Sequence, residues 1–198
     1  RGDATWVAAG GDLSFGGDTF GENKVIGAND AYSFSLETSG NTALTIDANG
    51  IITKPLTPAF HVLSASTANV TGDDTAYDIT NSANWGAEAF DQNGDLATTG
   101  IFTAPVTGRY YLSASWQFYG ITSDHTKAYL NIATSNRWYY LYFNPYNYGD
   151  SSSSVNVSGS WLADMDASDT AYLKIIVYNG DKVVDMSDQT MWTGFLAC

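Results

Sequence analysis

Between Trp138 and Phe143 the chain reads Trp-Tyr-Tyr-Leu-Tyr-Phe, apolar or aromatic at every position. In a strand, alternate side chains point to opposite faces. This run therefore presents Trp138, Tyr140 and Tyr142 on one side and Tyr139, Leu141 and Phe143 on the other. A strand apolar on both faces must be covered twice. A second sheet of the same chain can supply one cover, and a neighbouring subunit is the natural other. An aromatic side chain buries ~150–250 Å², so a few rings per subunit would hold an assembly firmly. The alternative is that a loop of the same chain lies over the second face.

The rest of the chain agrees with a β reading. Its 198 residues include 13 Tyr, 6 Trp and 19 Gly, with only 15% charged residues. Strand formers abound, helix formers are scarce, and no stretch keeps a helical period over three turns. The class expected is all-β, with one sizeable core and a smaller appendage. Eight basic against 21 acidic residues give a net charge of −13. Such a surface repels phosphate backbones and anionic lipid, so neither nucleic acid nor membrane insertion is expected. Cys198 stands alone, which rules out an internal disulfide and reads as a bland strand-end thiol. The sequence opens on Arg1 without a signal segment and is expected to be a fragment or processed product.

Two regions are expected. In residues 1–55, short alternating runs (Leu13 and Phe15; Tyr32, Phe34 and Leu36; Leu44 and Ile46) are parted by Gly, Asn and Asp, and Ala48-Asn49-Gly50 marks a hairpin. Strands so short cannot enclose a core and are expected to pair with copies of themselves. Residues 29–50 resemble the short β-rich element of bacteriophage tail-fibre and head-fibre proteins. Lys54-Pro55-Leu56-Thr57-Pro58 is expected to be an extended connector. Beyond it, strands are expected at 60–65, 85–90, 100–104, 109–119, 127–134, 137–143, 154–163, 171–178 and 190–196, with a polar loop over Thr67–Asp78. That spacing suggests a sandwich or jelly roll.

Several motifs then fall in order. Pro58-Ala59-Phe60 opens the region and Phe90-Asp91 ends a strand. Thr99-Gly100-Ile101-Phe102-Thr103-Ala104-Pro105-Val106-Thr107-Gly108-Arg109-Tyr110-Tyr111-Leu112 follows. Asp169-Thr170-Ala171-Tyr172-Leu173 comes late, and Met191-Trp192-Thr193-Gly194-Phe195-Leu196 closes the chain. Together these resemble the C1q-like domain of the C1q and tumour-necrosis-factor superfamily, with Ser168 where Gly is usual. The resemblance implies a ten-strand-type jelly-roll head over residues 56–198, packed as a homotrimer. Its signature positions are Phe90, Gly100, Phe102, Pro105, Gly108, Tyr110, Gly194 and Phe195. Pro105 pre-sets a turn, and Gly108 is expected to take positive φ there. In the strand after it, Tyr110, Leu112, Ala114, Trp116 and Phe118 should fill the core. Tyr111, Ser113, Ser115, Gln117 and Tyr119 face away, towards water or a subunit. The expected trimer-interface and core aromatics are Trp138, Tyr139, Tyr140, Tyr142, Phe143, Tyr111 and Tyr119.

Catalysis is not expected. His61 and His125 are the only neutral-pH bases, and no nucleophile elbow, HExxH or Walker loop occurs. Oxygen-rich loops suit a hard cation, which makes Asp164, Asp166 and Asp169 candidate calcium ligands, with Asp73-Asp74 as a second cluster. Tyr146, Tyr148 and Asp150 form a candidate ligand-binding loop, and Trp161 is read as a further surface ring that could stack on sugar. Arg1-Gly2-Asp3 is read as a chance match to an integrin tripeptide. The function expected is a viral fibre or capsid-spike head on a trimeric β stem. Its partners would be other virion proteins through the stem and a host-surface glycan or protein. A secreted bacterial module and a decoration protein without a receptor are the alternatives.

Overall fold

In a computed structural model, residues 21, 23, 25–148 and 154–198 are described. The chain divides into two units, Arg1–Thr53 and Lys54–Cys198. In the first, β1 (Phe34–Thr38), β2 (Asn41–Ile46) and β3 (Ile52–Thr53) form an antiparallel sheet in the order β1-β2-β3. The Asp47 carboxylate accepts the backbone N–H groups of Asn49 and Ile51, both at 2.8 Å, and so closes the turn into β3. No described residue of this unit is buried. Leu13, Phe15 and Arg1-Gly2-Asp3 lie outside the described residues.

The second unit holds β4 (Ala59–Ser64), β5 (Thr67–Thr71), β6 (Ala76–Asp78), β7 (Trp85–Asp91), β8 (Phe102–Thr103) and β9 (Gly108–Tyr119). β10 (Lys127–Thr134), β11 (Trp138–Phe143), β12 (Val155–Met165), β13 (Thr170–Tyr178), β14 (Val184–Met186) and β15 (Met191–Leu196) follow. One sheet runs β11-β10-β13-β6, with β8 also on β13. The other runs β5-β14-β9-β15-β4-β7, with β12 on the free edge of β9. The two face each other as a jelly-roll sandwich.

Alternation decides what lies between them. Tyr110, Leu112, Ala114, Trp116 and Phe118 of β9 are buried, and so are Ala128, Leu130 and Ile132 of β10 and Ala171, Leu173, Ile175 and Val177 of β13. Rings interlock across the gap. Phe60 stacks on Phe102 at 5.0 Å and meets Trp192 edge-on at 4.9 Å, and Phe102 lies 5.4 Å from Tyr110. The buried Tyr110 hydroxyl donates to the Val106 carbonyl at 2.7 Å, as a phenol without water must.

The signature positions have separable physical reasons. Asp91 accepts backbone N–H bonds from Gly94, Asp95 and Leu96, a carboxylate-capped turn that ends β7. Gly100 has φ +79°, and a Cβ there would sit 1.9 Å from Nε1 of Trp85. That indole donates to the Thr99 carbonyl at 2.8 Å. Gly108 corrects the sequence expectation, because it is not among the positive-φ residues. It is small because Leu196 Cδ1 and the Cys198 carbonyl would stand 2.7 and 2.8 Å from a Cβ. Gly194 likewise leaves room for the Phe60 ring.

Three expectations change. The loop over Thr67–Asp78 contains two short strands, β5 and β6, whose partners are the distant β14 and β13. The strand β14 was not expected at all. Lys54–Pro58 is no extended connector. Thr57 N–H bonds back to the Lys54 carbonyl at 3.1 Å, and the Gln92 amide donates to the carbonyls of Lys54, Pro55 and Thr57.

Gly100→Ala is expected to destabilise the fold by about 2–5 kcal/mol, the sum of a left-handed backbone cost and an overpacked contact. Gly94→Ala, at φ +74° but with nothing within 4 Å of its Cβ, should lose only the backbone part. Urea unfolding midpoints of the two variants check the difference.

Candidate binding faces

The sandwich leaves two outer faces, and register lays each out in rows. On the larger sheet, Ala59, Phe195, Tyr111 and Leu162 lie side by side across β4, β15, β9 and β12. The next row is His61, Thr193, Ser113 and Ser160, and the third is Leu63, Met191, Ser115 and Ser158. None of these twelve side chains is a carboxylate. Leu162 and Phe195 are exposed, as are Phe90 and Tyr119 at the margins. Tyr111 and Phe195 pair at 5.1 Å. Two signature positions, Phe90 and Phe195, thus stand at the surface.

On the smaller sheet, Tyr142, Tyr129, Ile176 and Ala76 form one row across β11, β10, β13 and β6. Tyr140, Asn131, Lys174 and Asp78 form the next, and Trp138, Ala133 and Tyr172 a third. Trp138 is 46% exposed, Tyr140 37% and Tyr142 59%. Tyr139, Leu141 and Phe143 turn the other way and pack on the core. The expected aromatic set therefore divides, with Tyr139 and Phe143 inside the sandwich, Trp138, Tyr140 and Tyr142 outside it, and Tyr111 and Tyr119 on the opposite face. Tyr140 and Tyr142 stack 5.3 Å apart at 16°. Tyr129 meets Tyr142 edge-on at 4.6 Å and Tyr178 at 5.2 Å. Lys127 Nζ lies 4.4 Å over the Tyr129 ring and Lys174 Nζ 4.9 Å over Trp138. Lys174 also pairs with Asp78 at 2.7 Å. Asn131, Lys174, Tyr129, Tyr172 and Tyr178 were not singled out from sequence, although the two-residue period of β10 and β13 places them all on this face.

Elsewhere the expected site residues divide between packing, turns and open surface. Trp161 is not a surface ring. It is half-buried on the core 6.5 Å from Tyr139, in space that Gly159 leaves open. Tyr146 is exposed within a short helical turn, Pro145–Tyr148, and Asp150 lies outside the described residues. The Asp169 carboxylate accepts the Asp166 N–H at 2.9 Å and the Asn136 amide at 2.5 Å, so it builds the turn between β12 and β13. Asp164 is exposed at the end of β12, opposite Arg109 of β9. Among the described residues, no three His, Cys, Asp or Glu side chains gather as a metal site. Asp73 and Asp74 accept backbone N–H bonds from Thr75 and Asn179.

Both histidines are hydrogen-bonded within the fold. His125 is fully buried. Its Nδ1 accepts the Thr122 N–H at 2.9 Å, which leaves the proton on Nε2 to donate to the Asp181 carbonyl at 3.1 Å. His61 bonds Thr193 Oγ1 at 2.5 Å and stacks on Phe90. Clefts on this unit hold about 150 and 220 Å³, below the roughly 300 Å³ at which small-molecule pockets begin. No helix among the described residues is long and apolar enough to cross a membrane.

Burial, and then the neighbouring Asp91 carboxylate, push the Asp95 carboxyl above the usual carboxylate range. The folded state therefore holds this proton more firmly than the unfolded chain, and stability falls as pH rises through the folded-state value. Asp95→Asn is expected to raise the melting temperature at pH 7. The gain should disappear below about pH 4, where both states are protonated. Thermal melts across a pH series check it.

The family model described as the C1q domain matches residues 68–197. No curated protein matches the sequence. Among solved structures, the globular domain of the zebrafish complement 1qA protein is 24% identical, with 71% of this chain and 98% of that one covered at a TM-score of 0.50. Murine APRIL is 14% identical over 71% and 98%, at a TM-score of 0.49. Eiger TNF from S. frugiperda is 13% identical over 72% and 93%, at 0.48.

Proposed function

The chain belongs to the C1q domain family, and we propose that it is a homotrimeric, non-catalytic binding head carried on a β-rich stem. Its place would be the tip of a viral fibre or capsid spike that meets a host-cell surface. The observation that carries the assembly is the outer face of the larger sheet. In a chain with net charge −13, twelve adjoining side chains there include no carboxylate, and Leu162 and Phe195 stand exposed among them. Copies repel one another over most of their surface and least on this face. An exposed apolar patch rimmed by polar groups is where a protein meets a partner. Tyr111 and Tyr119 belong to the contact on this reading.

The N-terminal unit supports the stem. Its three-stranded sheet buries no described residue and leaves Leu36, Ile51 and Ile52 in water. Sheets of that size need a cover, and neighbouring copies supply it. Three heads on one stem turn weak single-site binding into avidity. The two histidines serve hydrogen bonds of the fold, which fits a binding role without chemistry.

At micromolar concentration the full chain is expected to scatter light as three copies. Leu162→Asp and Phe195→Asp, both at exposed positions, should lower the scattered mass below that of the wild type at the same concentration while the β-sheet circular dichroism stays. A single-copy wild type would defeat the proposal. Saturable binding of the purified protein to host cells tests the attachment role, and its absence would leave a decoration protein.

A further inference from the structure

We propose that the outer face of β11, β10 and β13 binds carbohydrate, with Trp138, Tyr140 and Tyr142 as a stacking row and the Asn131 amide as the central polar group. This names the partner class of the binding head and rests on that reading.

The row is open and stiff. Its rings are exposed at successive outward positions of an edge strand, while the residues between them supply the packing that holds β11. Four residue steps span about 13 Å, the length of a short oligosaccharide. The stack of Tyr140 on Tyr142, braced edge-on by Tyr129, has little side-chain freedom left to lose on binding.

Asn131 is the second, independent sign. It is fully buried, and neither its Nδ2 nor its Oδ1 has a hydrogen-bond partner. It lies opposite Tyr140 on one side and Lys174 on the other. Lys174 Nζ reaches Trp138 and the Tyr129 ring meets Tyr140, so contacts cross β10 on both sides of the amide. An unmet donor and acceptor under a low-dielectric roof is a group that wants a partner.

The occupant must stack on rings and bring both a donor and an acceptor. A sugar ring does so, with C–H bonds on its face and hydroxyls at its rim. Apolar side chains of a protein partner would leave the amide unmet. Charge agrees. Asp78 neutralises Lys174, and Lys127 is held over Tyr129 and Tyr178. In a chain of net −13, this face therefore suits a neutral partner.

The test places the full-length protein on a printed array of neutral hexose and N-acetylhexosamine oligosaccharides, with hits measured by calorimetric titration. Wild type is expected to bind at least one class. Trp138→Ala and Tyr142→Ala should each lose tenfold or more in affinity, with assembly mass and melting temperature retained. Asn131→Leu removes the orphaned amide at similar volume, so its melting temperature should hold or rise while affinity falls at least tenfold. A wild type that binds no sugar, or ring variants that keep full affinity, would overturn the proposal. So would ring variants that fall to single copies, since the face would then be a subunit contact, and so would capture of an unglycosylated protein through the same rings. Assembly is read from mass alone. A single-copy wild type that still binds sugar would support this face and remove only the trimer.

Discussion

The head is organised around one strand. β9 pairs with β12 along one edge and with β15 and then β14 along the other. Its facing therefore dictates theirs. Tyr110, Leu112, Ala114, Trp116 and Phe118 point into the sandwich without a break, and a slip of one residue would exchange Trp116 for Ser115 in the core. Few strands state their register so forcefully. Glycine at positions 100, 108 and 194 keeps the surroundings compatible, each by leaving room for a neighbour that a Cβ would strike.

Much of this was legible in the amino-acid order, because long strands with a buried face advertise their period. β9, β10, β12 and β13 are of this kind. β5, β6 and β14 are not, since they are three to five residues long. Their hydrogen bonds come from strands far off in sequence, β14 on β5 and β9 and β6 on β13, and nothing local marks them. Gly108 shows another limit. A glycine after a turn suggests positive φ, yet here it yields to the Cys198 carbonyl, a neighbour only the folded chain provides. Trp161 misled for a related reason. It alternates with Ser160 and Leu162, but which side counts as inward depends on the pairing with β9, and Leu162 is the one left exposed. Asn131 was hidden because an amide inside an alternating strand reads as ordinary polar surface until its neighbours close over it.

The two outer faces differ in a way that suits a division of labour. The larger sheet offers small hydroxyls and a few apolar side chains in three adjoining rows without acids, with Asp164 beside Arg109 one row further out. Copies of the same surface can approach there without unmatched charge. The smaller sheet offers hydroxylated rings braced against one another, with ammonium groups laid across them. Its polar equipment exceeds what the fold itself uses. One core thus carries two unlike surfaces, because alternation decouples the outward residues from the inward ones.

The indoles of Trp116 and Trp192 are sealed in the core, and neither N–H finds an acceptor, whereas Trp138 stands in water beneath an ammonium group. Among the described indoles these stand at the two extremes of exposure, with Trp85 and Trp161 half-buried between them. The sealed pair should emit at short wavelength, out of reach of an ionic quencher, and the open one at long wavelength and within reach. Emission at the blue edge of the spectrum therefore keeps watch on the core, while quenching at the red edge includes the ring-bearing face.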